Sequence, residues 1–196
     1  MPKLWTETVE SHRMEVREAI LDAAGELVHS QGMLAVTMSQ IAEVAGIGRA
    51  TLYKYFADAE EVLSAWHGRH VTAHLDELAS VGDRGGAPVD RLRAVLSAYA
   101  RICTERGCHH SELRVALHRS DAVTAVQQQL LDLVTGLVSE ASAMGAIRDD
   151  VPASLLASYC IHALTAAGDI AAARAQATLV DVVWAGLTPN SKGGSW

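Results

Sequence analysis

Three cysteines, Cys103, Cys108 and Cys160, are too few for a disulfide framework, and a reducing cytoplasm is the compartment they suggest. The N-terminus lacks the apolar core of a secretory signal. Basic charge is short too: 16 Lys and Arg stand against 23 Asp and Glu, a formal net charge of −7. On its face that balance argues against a nucleic-acid partner. No stretch reads as a membrane span. Residues 151–168 contain no Asp, Glu, Lys or Arg, yet Ser154, Ser158, Tyr159, His162 and Thr165 break the apolar run, and Asp149, Asp150 and Pro152 border it. A buried helix fits that polarity better than a bilayer helix does. Strand-type alternation and internal repeats are missing throughout, and no carboxylates pair at catalytic spacing. No catalytic residue, cofactor or metal is therefore assigned.

What remains is a chain of 196 residues, 49% hydrophobic and 20% charged, long enough for a sizeable core and too apolar to be disordered. Val16, Ile20, Ala23, Ala24 and Leu27 recur at the helical interval between about Arg13 and Gln31, with Gly32 as the stop. Thr37 and Gln40 form a capping-box pair that opens a second short helix through Ile41, Ala42, Val44 and Ala45, and Gly46 closes it. A third helix runs from about Gly48 to Phe56. Longer helices follow over 60–81, 90–105, 122–144, 152–174 and 178–187, with a short segment over 111–119. The fold class is all-α. A composition shift near Asp58 divides a small N-terminal module over 1–58, with a helix-turn-helix candidate at 37–56, from a larger helical domain over 59–188, and 189–196 reads as a flexible tail.

The stretch "GIGRATLYKYF" is the informative one. Gly46 tolerates the positive φ a tight turn between helices needs, and Ala42, four residues earlier, permits a close crossing. Ile41, Ile47, Leu52 and Phe56 fill a shared core. Arg49, Ala50, Thr51, Tyr53, Lys54 and Tyr55 are left on or near the exposed surface. Arginine reads a guanine edge bidentately, while Lys, Thr and Tyr suit phosphates, and amide N–H groups near Gly48 offer a second phosphate site. The bland alternative is a helical hairpin with solvated charges, which leaves two tyrosines on the wet face unexplained. Residues 1–57 carry five basic side chains against seven acidic ones, so only local placement of charge can favour DNA.

The run "ILDAAGELVHSQGMLAVTMSQIAEVAGIGRATLYKYFADAEEVLSAW", Ile20 to Trp66, resembles the TetR-type bacterial transcriptional regulators. That resemblance implies a homodimeric regulator, a repressor, bound to a palindromic double-stranded operator and released by a small, partly hydrophobic effector. It implies DNA contacts at Thr37, Ser39, Gly48, Arg49, Ala50, Thr51, Tyr53, Lys54 and Tyr55. One departure is visible: the family's lysine after the recognition helix is Ala59 here, beside Asp58, Glu60 and Glu61. Losing that contact should weaken affinity and flatten its salt dependence; Arg13 and Arg17 are placed to compensate. The resemblance also puts the dimer interface on the last two helices, with Leu155, Leu156, Ala163, Ala167, Leu179, Val183, Trp184 and Leu187, unless these form an internal core. The effector pocket falls among Trp66, His70, His74, Tyr99, Cys103, Leu117, Leu137, Tyr159 and His162, where periodicity alone does not separate pocket from core.

"CTERGCHHSEL" is the other unusual stretch. Cys103, Cys108, His109, His110 and nearby His118 are ligand types for zinc or copper(I). Their spacing matches no common zinc signature. A metal- or thiol-sensing regulator, or a metal-dependent helical enzyme built on this cluster, is the competing reading.

Overall fold

The computed structural model describes residues 3–107, 121–169 and 173–189. All regular structure in these residues is helical. The chain divides into two compact units, Met1–His70 and Val71–Trp196, and the division falls inside one long helix.

The first unit starts with α1 (Lys3–Gln31), followed by a 3₁₀ turn at Met33–Ala35, α2 (Met38–Val44), α3 (Arg49–Leu52) and the first half of α4 (Ala59–Gly82). α1 begins ten residues before the periodicity suggests. The reason is visible in its burial: residues 9–15 are all exposed, Val9 and Met14 included, so these turns have no apolar stripe to detect. From Ile20 onward the stripe is real. Ile20, Leu21, Ala23, Ala24, Leu27 and Val28 are buried, together with Ile41, Ala42, Leu52, Phe56, Val62 and Trp66. Gly25 admits the Trp66 indole so closely that a Cβ there would stand 2.7 Å from its Nε1. The unit reaches His70, twelve residues past the composition shift at Asp58, because Val62, Leu63 and Trp66 belong to this core. Arg69 also pins α4 to α1 through Glu18 at 2.6 Å and Asp22 at 2.7 Å.

The second unit holds the rest of α4, α5 (Pro88–Gly107), α6 (Asp121–Ala143), α7 (Ala153–Thr165) and α8 (Ala173–Leu187). Leu92, Leu96, Ala100, Val134, Val138, Ala157, Cys160, Leu164, Val183 and Leu187 form the centre of one continuous apolar cluster. The single helix expected over 152–174 is interrupted: α7 ends at Thr165 and tightens into a 3₁₀ turn over Ala166–Asp169. There the Ala167 carbonyl accepts the Thr104 hydroxyl of α5 at 3.3 Å, a partner no helical periodicity reveals. Arg148 closes the far end of α8: its backbone N–H donates to the Leu187 carbonyl at 2.9 Å, and its guanidinium reaches the Gly186 carbonyl and Asp150.

Candidate nucleic-acid interface

Three local devices build the reading segment. Thr37 accepts the Gln40 N–H on its hydroxyl while the Gln40 side-chain oxygen accepts the Thr37 N–H at 3.0 Å, which sets where α2 begins. Gly46 then takes φ +68°, where a side chain would be strained. The Ile47 N–H turns back onto the Ala42 carbonyl at 3.0 Å. Gly48 is extended and starts α3, whose α-helical part is one turn. The expected helix to Phe56 continues as a tighter turn, with Lys54 N–H on Thr51 and Tyr55 N–H on the Leu52 carbonyl.

Leu52 and Phe56 face inward, at 0% and 4% exposure, and Ile47 is half-buried. Helical spacing then leaves Arg49, Ala50, Tyr53 and Lys54 in solvent, with Thr51 and Tyr55 half-buried. One surface of about two turns therefore carries a guanidinium, an ammonium and phenol rings, a set suited to phosphates and base edges. Thr37 and Ser39 are exposed at the start of α2. The Thr37 hydroxyl, however, donates to the Gln40 side-chain oxygen at 2.7 Å. A phosphate accepts hydrogens only, so Thr37 has no spare proton for it while this bond lasts.

Sequence reasoning missed a second reciprocal cap. The Glu61 N–H donates to the Asp58 carboxylate at 2.8 Å, and the Glu61 carboxylate accepts the Ala57 N–H at 2.6 Å. The pattern "DAEE" carries that signal, an acidic cap followed three residues on by Glu. These carboxylates thus close the start of α4 just after the recognition segment.

The proposed pocket residues fall in different surroundings within each unit. Trp66 and His70 stack at 5.2 Å along an open groove of the first unit, with Asp22, Gly25, Glu26 and His29. Tyr99, Cys103 and Leu137 are buried in the second unit's core, and His74 is half-buried. Tyr159 (43% exposed) and His162 lie on the solvent side of α7, because its inward stripe is Leu156, Cys160 and Leu164. Leu117 lies outside the described residues. The residues expected at a dimer interface also differ: Leu156, Ala167, Val183 and Leu187 are already buried within the single chain, Ala163, Leu179 and Trp184 are half-buried, and Leu155 stands 59% exposed. Val182, not picked from sequence, is equally exposed.

Cys108, His109, His110 and His118 lie outside the described residues. Cys103 and Cys160 are both buried, and burial pushes the Cys160 thiol up to about 11. Such a thiol is not a ready nucleophile or metal ligand at neutral pH. Among the described residues, no group of three His, Cys, Asp or Glu side chains is placed to hold a metal.

The chain's likeness to known proteins agrees with this geometry. Residues 20–66 match the model of the bacterial regulatory proteins of the tetR family. The HTH-type transcriptional regulator BetI of Rhizobium meliloti is 33% identical over 96 residues, which are 49% of this chain and 44% of that relative. The match thus spans less than half of that relative's length. Among solved structures, a TetR/AcrR-family regulator from Thermobifida fusca superposes with a TM-score of 0.74 at 18% identity, over 91% of this chain and 98% of that one. A Thermus thermophilus FadR, a TetR-family repressor crystallised with lauroyl-CoA, gives 0.60 at 20% identity, over 92% and 100%. Among the described residues, no helix is long and apolar enough to cross a membrane.

Proposed function

We propose, from the premise that this chain belongs to the tetR family of bacterial regulatory proteins and regulates transcription, that it is a cytoplasmic, ligand-responsive repressor acting as a homodimer. The observation that carries the reading is the solvent-facing set Arg49, Tyr53 and Lys54 on a helix fixed from behind by Leu52 and Phe56. Arg49 and Lys54 are the base-reading residues. Ser39, Thr51, Tyr53 and Tyr55 take phosphates, and the small Gly48 and Ala50 let the backbone approach. The proposed division of labour keeps 1–58 for DNA and 59–188 for dimerisation and ligand.

Dimerisation is supported by the outer faces of α7 and α8. Leu155, Tyr159 and Val182 are exposed there, and the Tyr159 phenol lies against Gly186, where a Cβ would sit 3.0 Å from its hydroxyl. The two helices therefore share one apolar surface, of the kind a second copy covers in a four-helix bundle. A dimer places two recognition helices about 34 Å apart, one turn of a palindromic operator. The effector is a small, partly hydrophobic molecule, a class to which the lauroyl-CoA bound by the Thermus FadR belongs. It acts by favouring a dimer whose reading heads no longer match that spacing.

Footprinting on DNA from the chain's own upstream region tests this reading. The expected result is one two-fold symmetric protected site, filled by two protomers and vacated on adding acyl-CoA esters. Protection without symmetry, or a protein that sediments as a monomer while bound, would contradict it.

A further inference from the structure

The start of α4 is a poor place for a phosphate in this protein. The Glu61 N–H of its first turn is taken by the Asp58 carboxylate, the Ala57 N–H just before it by the Glu61 carboxylate, and Glu60 adds a third carboxylate at the exit of the recognition segment. Any cation serving the backbone there must come from another element. Arg17 of α1 is that cation. Its guanidinium carbon lies 5.4 Å from the centre of the Phe56 ring, and Phe56 follows directly on Tyr55, its N–H bonded to the Leu52 carbonyl. The buried ring lies within cation–π distance of the guanidinium and favours keeping it beside the recognition segment. The side chain is 41% exposed. A partly exposed guanidinium placed beside the recognition segment suits bidentate bonding to phosphate.

One carboxylate competes for it. Glu18 is adjacent in sequence, and its Oε1 stands 3.7 Å from the Arg17 Nη1, beyond a hydrogen bond. Its Oε2 is held by Arg69 at 2.6 Å, and Arg69 uses its other Nη for Asp22 at 2.7 Å. Burial works against the charge on Arg69, but the bonds to Glu18 and Asp22 outweigh it and hold that guanidinium above its ordinary range. Arg69 therefore stays charged across any accessible pH and satisfies both acids at once.

We propose that Arg17 contacts a DNA phosphate beside the recognition helix and that Arg69 is a positioning residue, drawing Glu18 and Asp22 away so that Arg17 stays available. The proposal rests on the DNA-binding reading above and deepens it. Without Arg69, the Glu18 carboxylate needs only a rotamer change to capture Arg17, and Asp22 adds an uncompensated negative charge on the same helix.

The test is a fluorescence-anisotropy titration on the footprinted DNA and on an unrelated duplex, over a series of salt concentrations. The proteins are wild type, Arg17→Ala, Glu18→Gln, Arg69→Ala and the Arg69→Ala/Glu18→Gln double variant. Arg17→Ala should weaken binding to both duplexes alike, by about tenfold, and reduce the slope of log affinity against log salt by about 1. Arg69→Ala should reproduce most of that loss, and adding Glu18→Gln should restore it. Glu18→Gln alone should strengthen binding slightly, a gain that a purely structural role for Arg69 does not produce. An unchanged slope in Arg17→Ala overturns the phosphate contact. A double variant that folds cooperatively yet binds as weakly as Arg69→Ala overturns the positioning role. Wild-type protein that binds neither duplex would bring down the regulator reading together with this one, whereas normal wild-type binding with an unaltered Arg17→Ala overturns this one alone.

Discussion

The two units are both built of helices, and they are held by different kinds of force. In the first unit the functional helices are very short. α2 has seven residues and the α-helical part of α3 has four, well below the length at which a helix is stable alone. Their positions depend on single contacts: the Thr37–Gln40 box, the turn at Gly46, the Asp58–Glu61 cap and two inward side chains, Leu52 and Phe56. In the second unit the helices run to 20 residues or more in α5 and α6 and share one broad apolar cluster. Its order comes from buried area. A region that reads DNA has to hold a surface in place with little core, and it does so with local geometry. A region proposed to change shape with ligand has a core that many interchangeable apolar residues can fill.

That contrast can be broken first at the core positions. Leu52→Ala should destabilise the first unit by about 2–5 kcal/mol, because a fully buried leucine leaves a cavity that a small module closes poorly. Leu164→Ala in the second unit should lose a similar amount. Thermal unfolding and DNA titration together separate them. Leu52→Ala should lose DNA binding in step with stability, whereas Leu164→Ala, kept below its melting temperature, should keep it. Equal loss of DNA binding in both would mean that the units are not mechanically distinct.

Backbone positions give the next effect. Gly46→Ala forces a side chain into φ +68° and should destabilise by about 1–2 kcal/mol, although nothing lies within 4 Å of the added Cβ. Gly48→Ala, two residues on at φ −70°, should be close to neutral in thermal unfolding. Thr37→Ala removes the cap of α2 and should cost about 1 kcal/mol. If Thr37 also donated to DNA, affinity would fall further than stability explains. Its hydroxyl's bond to Gln40 predicts that it does not.

The smallest expected effect lies in the second unit. The Arg148 guanidinium beside Asp150 holds that carboxyl below its ordinary range. A depressed pKa in the folded chain favours folding above the unfolded value, and that contribution is lost as pH falls through the folded one. Stability should therefore drop more steeply in the wild type than in Asp150→Asn as pH falls through and below the usual carboxylate range. Asp150 is solvent-exposed and Arg148 only half-buried, so the difference between the two melting curves should be small.

The same contrast explains what was legible in the sequence. Gly46, Ala42, the Thr37–Gln40 pair and the Leu52–Phe56 spacing each have one physical meaning, so the order of the short helices could be read from them directly. In the second unit, Leu155 and Leu156 are equally apolar neighbours separated by one helical step. Only packing decides that Leu156 turns inward while Leu155 meets solvent. For the same reason periodicity did not show that Tyr159 and His162 are exposed on α7. The turn after Thr165 meets Thr104, 63 residues before Ala167, and residues 9–15 of α1 have no buried face. The Arg17–Glu18–Arg69 arrangement joins residues 51 apart and no local pattern encodes it.

The central claim is that Arg49 and its neighbours read DNA in a protein whose total charge is negative. The most direct test is an anisotropy titration against DNA from the chain's own upstream region at two salt concentrations, wild type beside Arg49→Ala. The account predicts specific binding that weakens as salt rises and that Arg49→Ala loses for the specific site far more than for unrelated DNA. Binding that is absent, indifferent to salt, or equally strong in the variant would contradict it.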